Sequence, residues 1–277
     1  MLYFCKMFSK RLIHIIFLFI ILVTVSSCSK YQKLLKSTDI NAKYEAAFKY
    51  YDQGDFFRAI QLFDELVTYF RATDKAEKIY YAYAYANFNQ GDYVLAGYHF
   101  KNFVNTFPSS PKAEECAYMA AYCEYMDSPE YYLDQTSTKD AIASLQLFVN
   151  EYPKSKYVED CNKYIDELRA KLEEKSFQIG MLYFKTEEYK AAITAFNSTL
   201  KEYPDTKYKE EALFYIMKSN YIFANNSVAI KKLERYQASV KAYAVFTSNF
   251  PKSKFMREAD TINRTASKEI DKLKTNT

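Results

Sequence analysis

Residues 39–70 read DINAKYEAAFKYYDQGDFFRAIQLFDELVTYF, and this stretch decides the fold. Two amphipathic segments, residues 42–53 and 56–69, flank a Gly54-Asp55 turn. In the second segment, apolar residues follow one another at spacings of four, three and four: Ala59, Phe63, Leu66 and Phe70. Such spacing places the side chains on one face of an α-helix, so the stretch predicts two helices that pack through this face.

The same spacing recurs in four further segments, each of which ends in an aromatic residue followed by proline. The four sets are Ala96, Phe100, Phe103 and Phe107; Ala141, Leu145, Phe148 and Tyr152; Ala192, Phe196, Thr199 and Tyr203; and Ser239, Tyr243, Phe246 and Phe250. The prolines are 45, 51 and 47 residues apart, which is typical of two-helix solenoid repeats. The whole chain has only four glycines and six prolines, so we expect an all-α protein of about five helix pairs.

Two further features of the pattern concern helix ends. A hydroxyl residue lies two positions after each proline, and we expect it to cap the helix that follows: Ser110, Ser155, Thr206 and Ser253. The last segment, residues 255–273, is polar and is predicted to form a C-terminal capping helix that covers the end of the array.

The first 27 residues have the organisation of a secretory leader. Lys6, Lys10 and Arg11 precede an apolar run at residues 12–25, which is shorter than the roughly 20 residues that a membrane-spanning helix needs. The following Val25-Ser26-Ser27-Cys28 resembles a bacterial lipobox, which implies that Cys28 is acylated and becomes the new N-terminus. The alternative is an ordinary secretory signal with a chance cysteine. We therefore expect a lipoprotein signal peptide at residues 1–27, a lipidated linker at 28–39 and the repeat domain at 40–277.

Net charge argues against a nucleic-acid partner. The leader contains three of the 38 basic residues and none of the 34 acidic ones, which leaves 35 basic residues against 34 acidic ones in the mature chain. A secreted, nearly neutral domain without a basic face lacks the electrostatic term that dominates nucleic-acid binding.

The residue types that usually carry catalysis are scarce. The mature chain keeps one histidine, His99, in a segment where a packing role is expected. Its glycines are isolated, and no Cys/His spacing fits zinc, so we expect no catalytic residue, metal or cofactor. Cys116, Cys123 and Cys161 are predicted to be small core residues, with a disulfide to Cys161 as the alternative.

The turn glycines and the small and aromatic residues around them resemble those of tetratricopeptide repeats. The first repeat supplies Ala47, Tyr50, Gly54-Asp55-Phe56, Ala59 and Phe63; the second supplies Ala84, Gly91-Asp92-Tyr93, Ala96 and Phe100, and departs from the pattern at Asn87. The resemblance implies a tetratricopeptide-like α-solenoid of about five helix pairs plus a C-terminal capping helix.

In repeats of this kind the first helix of each pair lines a groove. Counted from the turn glycines, six of the eight groove positions in the first two repeats are aromatic; the eight are Asn41, Tyr44, Phe48, Tyr51, Lys78, Tyr81, Tyr85 and Phe88. Tyrosine combines a large contact area with a hydroxyl group at low entropic cost, which suits an extended peptide. The six aromatic residues are therefore the predicted partner-binding groove. The alternative is that some of them only pack between helices.

The lipobox, the mature length of about 250 residues, the five helix pairs and the recurring Phe/Tyr-Pro-x-Ser/Thr motif together resemble the BamD family of outer-membrane lipoproteins. The resemblance is most specific at residues 168–173 and 192–211, which include Glu202-Tyr203-Pro204-Asp205-Thr206. It implies a non-enzymatic scaffold, anchored by lipid to the periplasmic face of the outer membrane. The C-terminal repeats would bind a periplasmic domain of a barrel-forming assembly protein. The N-terminal repeats would receive unfolded outer-membrane proteins through their aromatic-rich C-terminal signal.

Two other functions are kept as alternatives: another envelope scaffold, related to division or the cell wall, and a glycan-binding outer-membrane lipoprotein. The latter would favour tryptophan at its site, and the chain has none. A long third loop with Tyr131-Tyr132, and residues 225–236, have no assigned partner in the resemblance.

Overall fold

The structure is a computed structural model that describes residues 30–275, so the predicted signal peptide and Cys28 lie outside the described residues. Residues 30–275 form a short helical segment at 30–35 and eleven longer helices, and they contain no β-strand. The eleven helices are α1 (Ile40–Asp52), α2 (Phe56–Tyr69), α3 (Ala76–Gln90), α4 (Tyr93–Thr106), α5 (Ala113–Asp127), α6 (Thr136–Glu151), α7 (Val158–Lys185), α8 (Tyr189–Glu202), α9 (Lys209–Asn225), α10 (Ala229–Asn249) and α11 (Met256–Thr275).

The predicted helices are all present, and the ends of those predicted at residues 42–53, 56–69 and 255–273 differ from the structure by at most two residues. Helices α1 to α10 correspond to the five predicted pairs, and α11 corresponds to the capping helix. The prediction of an all-α, tetratricopeptide-like solenoid is confirmed.

The helices form two compact units, of which the first ends at Asp127 and the second begins at Ser128. This boundary falls between α5 and α6, which the sequence predicts as the third pair. The first unit therefore holds α1 to α5 and the second holds α6 to α11. In the second unit the 28-residue α7 packs against both α6 and α8.

The core of the first unit consists of the helix faces that the spacing predicts. Ala59, Phe63 and Leu66 of α2 are fully buried, as are Ala96, Phe100 and Phe103 of α4. Alanine at these crossings lets the helix axes approach closely, and the aromatic ring fills the space one turn later. The second unit is built in the same way around the buried Ala192, Phe196, Phe214 and Phe246.

Three turns between paired helices place a residue in the left-handed region. Gly54 (φ 74°) and Gly91 (φ 85°) do so before α2 and α4, and Glu187 (φ 65°) does so before α8. After the two glycines, Asp55 and Asp92 accept hydrogen bonds from the amides of Arg58 and Leu95 and so cap α2 and α4. The Gly-Asp motif thus ends one helix and starts the next.

The prediction that hydroxyl groups cap the helices after the prolines is wrong. Each hydroxyl accepts a hydrogen bond from the amide two residues further on, at 3.0–3.3 Å, and the helix begins only at the third residue after it. The hydroxyl groups of Ser110, Ser155, Thr206 and Ser253 therefore stabilise the turn that precedes the helix.

Part of the segment expected to be a linker is folded. Residues 30–35 are helical, and Tyr31 is only 5% exposed. Its hydroxyl lies 3.1 Å from the Arg58 carbonyl oxygen and 3.0 Å from Gln61 Oε1, both of which accept from it. Leu34 and Leu35 pack against the same core. The short segment thus belongs to the first unit.

Candidate functional site

The first row of predicted groove residues lies on α1. Tyr44, Phe48 and Tyr51 are each half-buried, and their rings pack against Phe63 of α2 or Phe70 at its end. The Phe48 ring centroid is 5.2 Å from that of Phe63, and the Tyr44 centroid is 4.8 Å from that of Phe48. Burial raises the pKa of the Tyr44 and Tyr51 hydroxyls, so both remain protonated hydrogen-bond donors.

The second row lies on α3 and contains a shared hydrogen bond. The ring centroids of Tyr81 and Tyr85 are 4.7 Å apart, and both hydroxyls donate to Oε1 of Glu115, with an oxygen–oxygen distance of 2.9 Å for Tyr81. Burial, together with these bonds to a carboxylate, raises the pKa of both tyrosines. Glu115 comes from the start of α5, so the carboxylate links this row to the next helix.

A third row on α5, which the sequence analysis missed, continues the first two. Tyr118 and Tyr122 stack at 5.9 Å, Tyr122 and Tyr125 stack at 5.8 Å, and Phe88 lies 6.0 Å from Tyr122. The positions 118, 122 and 125 repeat the spacing of 81, 85 and 88. Counting back from a turn glycine fails here because the third loop has none. Counting forward from the start of the helix works for both rows: Tyr81 lies five residues after Ala76, and Tyr118 lies five residues after Ala113. The other two rings of each row follow at the same spacing.

Lysines lie over the rings of the first two rows. The Nζ atom of Lys112 is 4.0 Å from the Tyr81 ring centroid, that of Lys78 is 4.3 Å from the Phe48 centroid, and that of Lys75 is 4.6 Å from the Tyr44 centroid. An ammonium group above a ring face is attracted by the ring quadrupole. The predicted groove residues therefore form an aromatic surface with three positive charges beside it.

The remaining candidate reactive groups lie in the cores. Cys116, Cys123 and Cys161 are buried and free of disulfides, as the core assignment predicts. Burial raises the thiol pKa to about 12 for Cys116 and Cys123 and to about 11 for Cys161, so these thiols stay protonated at neutral pH. The His99 ring packs 4.1 Å from that of Tyr83, centroid to centroid. Among residues 30–275, no group of three or more acidic, histidine or cysteine side chains is placed to hold a metal ion.

These features define the class of protein. Paired helices that cross at alanines, with Gly-Asp turns in the first two pairs and aromatic rows on α1, α3 and α5, make this a tetratricopeptide-like helical repeat protein. Within that class, the sequence model of the YfiO family, described as outer membrane lipoprotein, matches residues 36–235. This match covers more than half of the chain, and the protein belongs to this family. In the part of the chain that the structure describes, no helix combines the length and apolar character needed to cross a membrane.

Curated relatives carry one name. The outer membrane protein assembly factor BamD of Buchnera aphidicola is 35% identical over 91 residues, covering 33% of this chain and 37% of that protein. BamD of Caulobacter vibrioides is 30% identical over 97 residues, which cover 35% of this chain and 32% of that protein. BamD of Neisseria gonorrhoeae is 27% identical over 126 residues, which cover 46% of this chain and 43% of that protein. The matched region thus spans about a third to less than half of these relatives.

Solved structures of other tetratricopeptide proteins are similar at a more distant level. The TPR2AB domain of yeast Sti1, solved as a complex, is 15% identical with a TM-score of 0.37, covering 82% of this chain and 98% of that one. The TPR domain of P58(IPK) is 12% identical with a TM-score of 0.39, covering 86% and 68%. The fold assignment rests on the helices described above.

Proposed function

We propose that this protein is a lipid-anchored scaffold of the outer-membrane β-barrel assembly machinery, held at the periplasmic face of the outer membrane through Cys28. The family match and the name shared by the curated relatives support this role. Both the family and the repeat fold indicate a non-catalytic scaffold. In this proposal the protein needs no cofactor, and its partners are a barrel-forming assembly protein with periplasmic domains and unfolded outer-membrane proteins.

The groove is the observation that carries the proposal. Its three rows of rings, of which all but Tyr118 are half-buried, give an extended peptide repeated apolar contacts. The ammonium groups of Lys75, Lys78 and Lys112 would attract a terminal carboxylate. An aromatic-rich C-terminal segment of an unfolded barrel protein combines both features, so we assign it as the groove ligand.

The barrel-forming partner is assigned to the second unit. At the start of α10, Val228 is 69% exposed and Ile230 is 86% exposed. Beside them lies a cleft of about 350 Å³ between α8, α9 and α10. It is lined by Lys190 and Arg235, and by Lys231, whose ammonium group pairs with Glu234 at 3.3 Å. Arg235 is held 3.7 Å above the Phe223 ring. Apolar side chains next to fixed cations suit a folded partner with an acidic, partly apolar edge.

A peptide-binding measurement tests the groove. Replacing Tyr81 and Tyr85 together with alanine should weaken binding of a fluorescent C-terminal peptide from an outer-membrane protein by about tenfold or more. The paired change Tyr81→Phe and Tyr85→Phe keeps both rings and should retain most of the affinity. Circular dichroism checks that each variant stays helical. Unchanged binding in a folded double-alanine variant would exclude this groove as the peptide site.

Purification of the lipidated protein from detergent-solubilised envelopes tests the wider role. We expect a large barrel protein with periplasmic domains to co-purify, identified by mass. Recovery of a division or cell-wall complex, or of a sugar importer, would leave the fold assignment unchanged but contradict the proposed function. It would favour one of the two alternative functions instead.

A further inference from the structure

The short helical segment that opens the first unit carries a local cluster of three lysines, although the chain has no extended basic face. Residues 30–38 read KYQKLLKST and contain three lysines and no carboxylate. Lys30, Lys33 and Lys36 are exposed and spaced three apart, so they share one side of the segment, while Tyr31, Leu34 and Leu35 face the core. Among residues 30–275, no ion pair involves any of these three lysines. Their charge is directed to solvent.

The position of Tyr31 limits where the anchored end of the chain can lie. Its hydroxyl is bonded to α2, and its ring packs 5.5 Å from that of Tyr50, so Tyr31 is fixed on the first unit. Only three residue steps separate it from Cys28, which limits the distance between their Cα atoms to roughly 10 Å. Lipid on Cys28 would therefore bring the bilayer surface close to this part of the first unit.

An uncovered aromatic side chain lies in the same area. Phe57 is 61% exposed at the start of α2, four residues before Gln61, so the two side chains share a side of the helix. Gln61 accepts a hydrogen bond from the Tyr31 hydroxyl, so the basic segment packs on the helix that carries Phe57. Exposed lysines and an exposed ring on two packed segments are a combination typical of surfaces that lie in the headgroup region of a membrane.

We propose that Lys30, Lys33, Lys36 and Phe57 form a membrane-contact surface that holds the first unit against anionic phospholipid. The proposal rests on the proposed anchor at Cys28. The basic charge is local, because the mature chain has 35 basic residues against 34 acidic ones. Lysines beside an anionic lipid surface each strengthen binding about fivefold at physiological salt, and Phe57 would enter the interface.

Fluorescence quenching by brominated lipid tests the contact. The chain contains no tryptophan, so Phe57→Trp introduces a single reporter. Its matched control is Tyr69→Trp, because Tyr69 lies on the same helix with 64% exposure, twelve residues and therefore about 18 Å further along the axis. Both variants are made in the lipidated full chain and reconstituted into phosphatidylethanolamine vesicles with about one quarter phosphatidylglycerol. We expect brominated lipid to quench position 57 at least roughly threefold more than position 69.

The lysines are tested in the Phe57→Trp background. Replacing Lys30, Lys33 and Lys36 with glutamine should reduce the quenching by about half or more. The same replacement at three exposed lysines of the second unit, Lys154, Lys201 and Lys252, should leave it unchanged. Equal quenching at positions 57 and 69, or an equal effect of both lysine sets, would overturn the contact surface. Vesicle flotation of the parent protein separates the two proposals, since failure to float would reject the lipid anchor instead.

Discussion

Single positions show where the sequence deviates from the repeat pattern and what the deviation costs. The turn before α8 places Glu187 at φ 65°, where the first two repeats have glycine. A side chain in this region is disfavoured because Cβ approaches the following carbonyl oxygen. In the sequence, Glu187-Glu188-Tyr189 stands where the first two repeats have Gly-Asp-aromatic turns, but the strained backbone is visible only in the structure.

Replacing Glu187 with glycine should therefore stabilise the protein. We expect the free energy of unfolding to rise by about 1 kcal/mol, because glycine adopts the left-handed conformation without the steric penalty. Urea denaturation followed by circular dichroism measures the change. Glu188→Gly is the matched control, since Glu188 has φ −82°, and it should be neutral or destabilising. A loss of stability in Glu187→Gly would contradict the strain argument.

His99 should make stability depend on pH. Burial lowers its pKa below the ordinary histidine value of 6.5, although the carboxylates of Asp64 and Asp92 act in the opposite direction. The unfolded chain then binds the proton more readily, so the contribution of His99 is fully present above pH 6.5 and is lost as the pH falls toward the folded-state pKa. Denaturation curves measured at several pH values across this window should show a steeper loss for the parent protein than for His99→Gln. Equal slopes would show that His99 does not titrate differently on folding.

At the scale of helices, the sequence predicts the elements well because the residues that mark each helix lie within or next to it in the sequence. Aromatic-Pro endings and Gly-Asp turns mark the boundaries, and the alanines mark the crossings. The third aromatic row on α5 was missed because its loop lacks the reference glycine, and its position became clear only from the start of the helix. The hydrogen bonds from the Tyr81 and Tyr85 hydroxyls to Glu115 were also not predictable, since they join side chains that lie 34 and 30 residues apart in the sequence.

One helix crossing in the second unit depends on the absence of a side chain. A Cβ atom built on Gly180 of α7 would lie 2.6 Å from the Phe196 ring, whereas one on Gly97 of α4 would lie 3.2 Å from the nearest atom, Cβ of Cys123. Both glycines are buried in helices. Alanine gains about 1 kcal/mol of helix propensity at either position, but overpacking costs about 1–3 kcal/mol.

Gly180→Ala should therefore be less stable than Gly97→Ala by about 1 kcal/mol or more. Thermal or urea unfolding of the two variants, each compared with the parent protein, provides the measurement. A Gly180→Ala variant as stable as Gly97→Ala would mean that α7 and α8 can separate at little cost.

At the scale of the whole molecule, the chain divides its proposed tasks between two units. The first unit holds the aromatic groove and the proposed membrane-contact surface, and the second holds the exposed apolar start of α10. The sequence predicts one uninterrupted repeat domain, because the helix pattern continues past residue 127. The division at that point reflects how helices pack, which the spacing of apolar residues does not encode.

The division predicts separable defects. Ile230→Asp should reduce co-purification of the barrel-forming partner about tenfold or more, because it places a charge at an apolar contact, and should leave peptide binding by the first unit unchanged. Leu147→Asp, at a position that is 57% exposed on α6, is the matched control for a charge on the second unit. If both variants lose the partner equally, the start of α10 is not its contact site.

The buried cysteines also make the protein a convenient object for labelling. Their thiols are covered by the cores and stay protonated well above neutral pH. In the folded chain a thiol-reactive dye should therefore leave the cysteines at positions 116, 123 and 161 unlabelled and react with a cysteine introduced on the surface. Probes can then be attached to either unit without first removing the natural cysteines from its core.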